Sequence, residues 1–506
     1  MKTDYRKILY ATVSLALVLP GNALAEVTAP EVWDNWKGYF ESLGQTITVG
    51  QQEASDGALV LQDVTFSMDF PEGTMSGTLG MLEFRERSDG TVAIAMSPDF
   101  PFSISADPQG GESVDMAMII RQSGTSIVAS GDSESITYDY LASAVSGSID
   151  KLMVDGEELD ATVSWELTDI KGRYVADRGT LSRFSSRTNA AGLNFDVAIN
   201  DPEEGGRFTM KGTGQDLVSE YSATIPEGFD AQAPGAMFNS AFAAQGTLRT
   251  GPSGYEISAG NGAESFQFTA RSDSGSFDFA LADGALSYGT SATNSEYSFT
   301  SPAIPFPQIA LKLAQSAMRI TLPLAKSDEP KDFGVLLKLV GLQVDEAIWS
   351  MFDPGRILPR DPADIVFDVS GRMRWLIDIS DPAASAMAEE QGEVPAELYD
   401  LKVNDVTFSM AGAEITGSGS FVFDNSNLET FDGLPAPTGA LDFRIAGANG
   451  LLDNLIAMGL LPADQATSFR MLLAAFTRPT DSADIVTTTV EITGSGGVYV
   501  NGQQFQ

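Results

Sequence analysis

Four arginines, Arg356, Arg360, Arg372 and Arg374, fall close together in a chain that is otherwise strongly acidic. Such a group could hold an anion. Asp353, Asp361, Asp364, Asp368 and Asp378 lie among them, however, and Arg–carboxylate pairs commonly brace loops. Bracing is therefore the preferred reading, because charge clusters are often structural. The remaining chemistry is narrow. The chain has no His and no Cys, which removes thiol nucleophiles, His bases, Ser-His-Asp triads, disulfides and Cys/His metal sites. Asp424-Asn425-Ser426-Asn427 is similar to a calcium loop, but Ser426, Leu428 and a missing Gly break the pattern, so an Asx turn is expected. There is no nucleophile elbow and no P-loop lysine motif. Two carboxylates could serve a glycosidase, yet 69 acidic residues single out no pair. No catalytic residue, cofactor or metal ligand is assigned.

The elements that must position the arginines are legible. Phe333, Val335, Leu337 and Leu339 alternate as a strand. Val344, Ala347, Ile348, Met351 and Phe352 then follow helical spacing, with Trp349 at the border, Asp345 as cap and Asp353-Pro354-Gly355 as stop. From Ile365 through Phe367, Val369, Gly371, Met373 and Trp375 to Ile377 the period returns to two. This is a strand, short helix, strand unit.

The N-terminus reads as a signal peptide. Lys2, Arg6 and Lys7 precede an apolar core from Ile8 to Leu19, and Ala23-Leu24-Ala25 fits a cleavage site. The expectation is export across the inner membrane of a Gram-negative bacterium, with cleavage near Ala25 and residence in the periplasm. The alternative is an uncleaved anchor. A formal charge of −39 argues against nucleic acid and anionic head groups as partners.

Residues 26–45 are expected to hold an amphipathic helix. Thr28-Ala29-Pro30-Glu31 opens it as a capping box, Val32, Trp33, Trp36, Phe40 and Leu43 form its stripe, and Gly44 ends it. Its polar face is not basic, so packing against a sheet is favoured over lying on a membrane. Residues 46–324 read as a β-meander, with strand and turn repeating about every 8–12 residues. Val114 to Ile120, Leu159 to Leu167 and Leu193 to Ile199 alternate; Asp56-Gly57, Asp155-Gly156, Ser274-Gly275 and Asp283-Gly284 mark turns. Pro226 to Gly235 and Pro302 to Pro307 read as crossings. Leu59–Met68 (LVLQDVTFSM) and Leu401–Met410 (LKVNDVTFSM) echo each other, and both change phase, which predicts β-bulges near Asp63 and Asp405.

Residues 325–506 read as a β-rich region with helices near 345–352, 450–458 and 462–476. Asp381 to Gly392 is Ala/Glu-rich, a short helix or loop. The last two helices form an αα-hairpin laid on a sheet, with Ala466, Phe469, Leu472, Leu473 and Phe476 expected inward. The fold class is mainly β: long antiparallel curved meander sheets with a few packing helices.

Trp349 to Gly355 (W-S-M-F-D-P-G), Leu358 to Ala363 (L-P-R-D-P-A), Phe431 to Gly439 (F-D-G-L-P-A-P-T-G) and Val498 to Gly502 (V-Y-V-N-G) carry a resemblance. On these motifs the chain resembles domain-of-unknown-function family 2125, found mainly in alphaproteobacteria, most closely from Asp332 onward. Trp349, Asp353, Pro354, Arg356, Arg360, Asp361, Gly433, Pro435, Pro437 and Gly439 are thereby marked as structural motif residues. The resemblance brings no reaction. In architecture the chain is also similar to periplasmic proteins whose curved sheets shield lipid, an analogy of fold alone.

Three functional readings follow. The first is a periplasmic, non-enzymatic protein binding lipid or an envelope protein on an apolar sheet face, in an oligomeric state the sequence leaves open. The second is an outer-membrane β-barrel, and the third a carboxylate-based envelope hydrolase. A sheet face filled by Trp36, Phe40 and the C-terminal hairpin would oppose the lipid reading.

Overall fold

The structure is a computed structural model. It describes residues 27–505 apart from 43, 71, 109–110, 201–204, 230–235, 240, 262–264, 307, 380–385, 388–389 and 391–394. The expected signal peptide, Leu43, most of the Pro226–Gly235 segment, Pro307 and most of the Ala/Glu-rich segment lie outside the described residues.

Alternating apolar and polar residues dominate this chain, and they build one antiparallel sheet in which strands pair with a sequence neighbour or skip past one, as Gly73–Glu86 does to reach Asp99–Ala106 and Arg207–Pro226 to reach Ser253–Gly260. The sheet starts at Thr46–Ser55 and Ala58–Phe70 and ends with Ile485–Ile492 and the closing Val498–Val500 hairpin. It passes without a break through the 324/325 boundary, where Ile309–Pro323 pairs with Lys331–Val344. Among the described residues, the first strand pairs with the second alone, so hydrogen bonds do not close the sheet into a barrel.

Helix α1 (Ala29–Ser42) forms where the capping box places it. Glu31 accepts from the Thr28 amide at 2.9 Å and from its hydroxyl at 2.8 Å, and Gly44 leaves the helix at φ 81°. Val32 and Trp33 are buried against Phe84 and neighbouring strands. The adjacent Tyr39 and Phe40 reach Phe184 and Phe66, with ring centroids 4.6 and 5.4 Å apart. Those two phenylalanines sit on strands six positions apart in the sheet, about 29 Å if it were flat. A helix is only about 10–12 Å wide. The first part of the sheet must therefore curl around α1, and the face that carries α1 is its inner face.

The four central strands, Ser135–Val154, Asp160–Asp177, Leu181–Asn200 and Arg207–Pro226, are far longer than the 8–12-residue rhythm predicts. The cause is a crease. In strand after strand the inward-facing set switches parity at one point, so each long strand reads as two short ones. Asp63, Gly124, Asp169, Asp216, Asn294 and Gly341 mark this line, all at φ between 48 and 70°. Asp and Asn are the non-glycine residues that tolerate such left-handed backbone. Leu167 and Ile170 flank Asp169 yet belong to one apolar cluster, so the inner face continues across the crease.

The phase change near Asp63 is thus present, although its register with both neighbours is unshifted, because they change phase too. Near Asp405 the register itself slips on both sides, a local bulge. Ser274-Gly275 is no turn: both residues lie in Ser274–Ala282, just past the crease. An Asp169→Val substitution puts a β-branched residue into left-handed backbone and should cost on the order of 1–2 kcal/mol, whereas Asp169→Gly should be close to neutral. Equal denaturation midpoints for the two variants would contradict the crease geometry.

After the turn Ala236–Asn239 (α2), the helices are α3 (Glu346–Phe352), α4 (Ala448–Ala457) and α5 (Ala463–Phe476). The α4–α5 hairpin is present, but its expected inward stripe is not. Ala466 is buried, while Phe469 and Leu472 are more than half exposed and Phe476 is exposed as well. Helical spacing identified a stripe; it could not say that α4 would meet the sheet, at Ala413–Asp424, while Phe469, Leu472 and Phe476 stay exposed.

Candidate functional site: an apolar sheet face

The two faces of the sheet differ chemically. On the outer face, Ser and Thr hydroxyls pair across strands, as in Ser276–Ser291 at 2.8 Å and Thr269–Ser298 at 2.6 Å. Ion pairs such as Arg173–Asp139 and Lys312–Glu296 sit there too, well exposed and of small energetic weight.

The inner face is predominantly apolar. One cross-strand row runs Tyr138, Tyr174, Tyr221, Phe279, Tyr288, Ile320, Val335 and Val369, interrupted by Ser186 and Gly246. Aromatic side chains lie over its glycines. Trp165 covers Gly147 and Phe195 covers Gly212, at 2.4 and 2.3 Å from where a Cβ would stand. This cross-strand packing smooths the face. It also explains why an apolar surface is encoded with so many glycines.

Burial by α1 covers only the start of this face. Farther along, Leu286, Tyr288, Met318, Val335, Leu337 and Phe367 share the inner side and are 37–45% exposed. Phe408 and Ile415 extend it. Contiguous exposed apolar surface makes this part of the face the candidate site. The hairpin does not fill it. Where α1 ends, a cavity of about 400 Å³ opens between Trp36 and Phe40 above and Phe66, Met68, Met75 and Phe100 on the sheet.

The arginine group sits elsewhere, and each of its four members pairs with a carboxylate. Asp353, 1% exposed, accepts from the Ile357 and Leu358 amides at 2.9 Å and from Arg360 at 2.5 Å. Arg360 also lies 4.4 Å from the Trp349 ring, a cation–π contact. Arg356 pairs with Glu346, Arg372 with Asp400 and Arg374 with Glu397. Asp361 is exposed beside this loop, and Pro354 lies in its turn. Asp364 and Asp368 serve the Gly341 amide and Asn404 instead. Gly433 turns at φ 95° and Pro435 follows it, but Pro437 and Gly439 already belong to the strand Ala436–Ala446.

The two motif groups do not form one site. Pro359 abuts Gly412 at one end of Ala413–Asp424, while Gly433 and Pro435 belong to the connection at its other end, about 36 Å away along the strand. Asp424 accepts from the Ser426 amide at 3.0 Å, as an Asx turn does. Sequence reasoning found the arginines because charge stands out. It expected an apolar sheet face but not the residues that form it, because that row is assembled from many strands.

Burial raises the Asp353 carboxyl's pKa, but its hydrogen bonds from Ile357, Arg360 and Leu358 outweigh that and hold it below its usual value of 3.8. Glu397 and Asp484 are also held low: Arg374 and Tyr399 act on the first, and backbone amides outweigh burial on the second. A carboxyl depressed on folding stabilises above its unfolded pKa, and that stability is lost as pH falls through the folded one. The chain should therefore lose stability below about pH 4, where such carboxyls begin to protonate. Asp353→Asn should flatten that acid limb in denaturation midpoints measured from pH 6 downward. An unchanged limb would show that Asp353 is not among the groups responsible. These shifts are opposite to what a general acid needs.

The fold is that of a long single-sheet β protein, polar on one face and apolar on the other. Residues 196–502, more than half the chain, match the model of domain-of-unknown-function family 2125, described as an uncharacterized protein conserved in bacteria, and the chain belongs to that family. A search of curated proteins finds no match. No helix among the described residues is long and apolar enough to cross a membrane.

Proposed function

We propose that this is an exported periplasmic protein that shields lipid hydrocarbon on its inner sheet face, without catalysing a reaction. The observation that carries the reading is the unfilled part of that face, where Leu337 and Phe367 stand exposed as direct cross-strand partners and Phe408, opposite Ile365, stands exposed on the next strand. An apolar sheet of this extent in water is costly to leave bare, and hydrocarbon matches it without asking for hydrogen bonds. The signal-peptide pattern at Lys2–Ala25 supports the compartment, and the charge of −39 disfavours nucleic acid. The outer-membrane barrel is disfavoured by the exposed ion pairs on the outer face, because lipid-facing charges are costly. For the hydrolase, the depressed carboxyls are the wrong kind.

Osmotic-shock fractionation tests compartment and cleavage together. The expected result is release without detergent of a chain beginning at Glu26. Retention with the membrane pellet until detergent is added would contradict it.

A further inference from the structure

We propose that the cavity at the end of α1 seats the methyl end of one acyl chain of a zwitterionic phospholipid. This rests on the reading of the inner face as a hydrocarbon shield, and it assigns that face a closed end. The cavity of about 400 Å³ lies within the range of single-ligand pockets. It runs across five neighbouring strands, from Phe66 through Met75, Phe100 and Ile120 to Val145. The lining is therefore spread along the sheet rather than gathered on one strand pair.

Among the described residues, the lining contains no charged side chain, in a protein where 20% of residues are charged. Its polar side chains are those of Gln45, Ser67 and Gln122. A carboxylate or phosphate placed here would lack a counter-charge, so the head group must stay outside. Met68, Met75 and Met96 are unbranched and soft, which suits a flexible chain. Trp36 and Phe40 close the far side. The protein's negative charge favours a neutral phospholipid over a free fatty acid as the source of the chain.

The test uses phosphatidylcholine carrying a photoreactive diazirine at the methyl end of one acyl chain, with palmitate labelled at its own methyl end as comparison. The full chain is photolysed in vesicle-exchange conditions and the crosslinked peptides are mapped. The phosphatidylcholine label is expected on peptides containing Met68 or Met75. Met75→Trp, which fills the cavity, should cut that labelling at least tenfold while labelling on Lys331–Val344 and Ala363–Trp375 persists. Met68→Trp, directly opposite in register, provides a second filling variant if the first folds poorly. Label spread over the inner face without preference, or unchanged cavity labelling in a folded filling variant, would overturn the closed end and leave the shield standing. Stronger cavity labelling by palmitate would overturn the choice of phospholipid. Capture nowhere on the inner face would overturn both readings.

Discussion

Introducing two carboxylates on the exposed inner face, as Leu337→Asp with Phe408→Asp, is expected to abolish lipid retention while leaving the fold intact. Both residues are at least 40% exposed, so neither supports a packed core. They lie on the first and third of three adjacent strands, so the new charges are not directly opposed. Substitutions at such positions usually change stability by little. The effect on hydrocarbon should be severe, because a chain laid across this face would bury unpaired carboxylates. At a cost of at least about 3 kcal/mol, occupancy falls about a hundredfold. Lipid extracted per mole of protein measures this, with circular dichroism confirming the fold. Full retention in a folded double variant would place any bound lipid elsewhere.

Phe84→Ala should produce the largest loss of stability, about 3–5 kcal/mol. Phe84 is fully buried, and its ring meets Trp33 and Trp36 at 6.0 and 5.7 Å. Removing it opens a hole between the helix and the curled sheet. Single domains have only about 5–15 kcal/mol in total, so the variant should unfold at far lower denaturant. A loss below about 1 kcal/mol would mean that α1 does not pack as described.

These two outcomes separate the role of α1 from that of the open face, and sequence legibility divides along the same line. The α1 stripe could be read directly: Val32, Trp33, Trp36 and Phe40 repeat at helical spacing, and all four meet the sheet or its cavity. Tight turns were legible where two left-handed residues adjoin, as at Asp56-Gly57 and Asp155-Gly156. The long strands were not. Leu159 to Leu167 alternates correctly, but the strand continues beyond Asp169 in the opposite phase through Ile170 and Tyr174. A local period cannot see through a residue that resets it. Asp63 revealed itself only because Leu401–Met410 repeats the same phase change.

The site was less legible than the fold, for a related reason. Arg360 and Asp353 catch the eye as chemistry, yet their geometry ties a loop to the end of α3. Tyr288, Leu337 and Phe367 look like ordinary strand residues. Their shared, uncovered face exists only once four strands are placed in register. Likewise Phe469 and Leu472 carry a helical stripe whose exposure no local pattern records.

The central claim is that the inner face holds hydrocarbon, and native mass spectrometry on protein released by osmotic shock tests it most directly. The expected spectrum contains the mature chain with one or more added phospholipid masses, lost in the Leu337→Asp/Phe408→Asp variant. A bare chain mass from the wild type, under conditions that preserve a known lipid-protein complex, would contradict it.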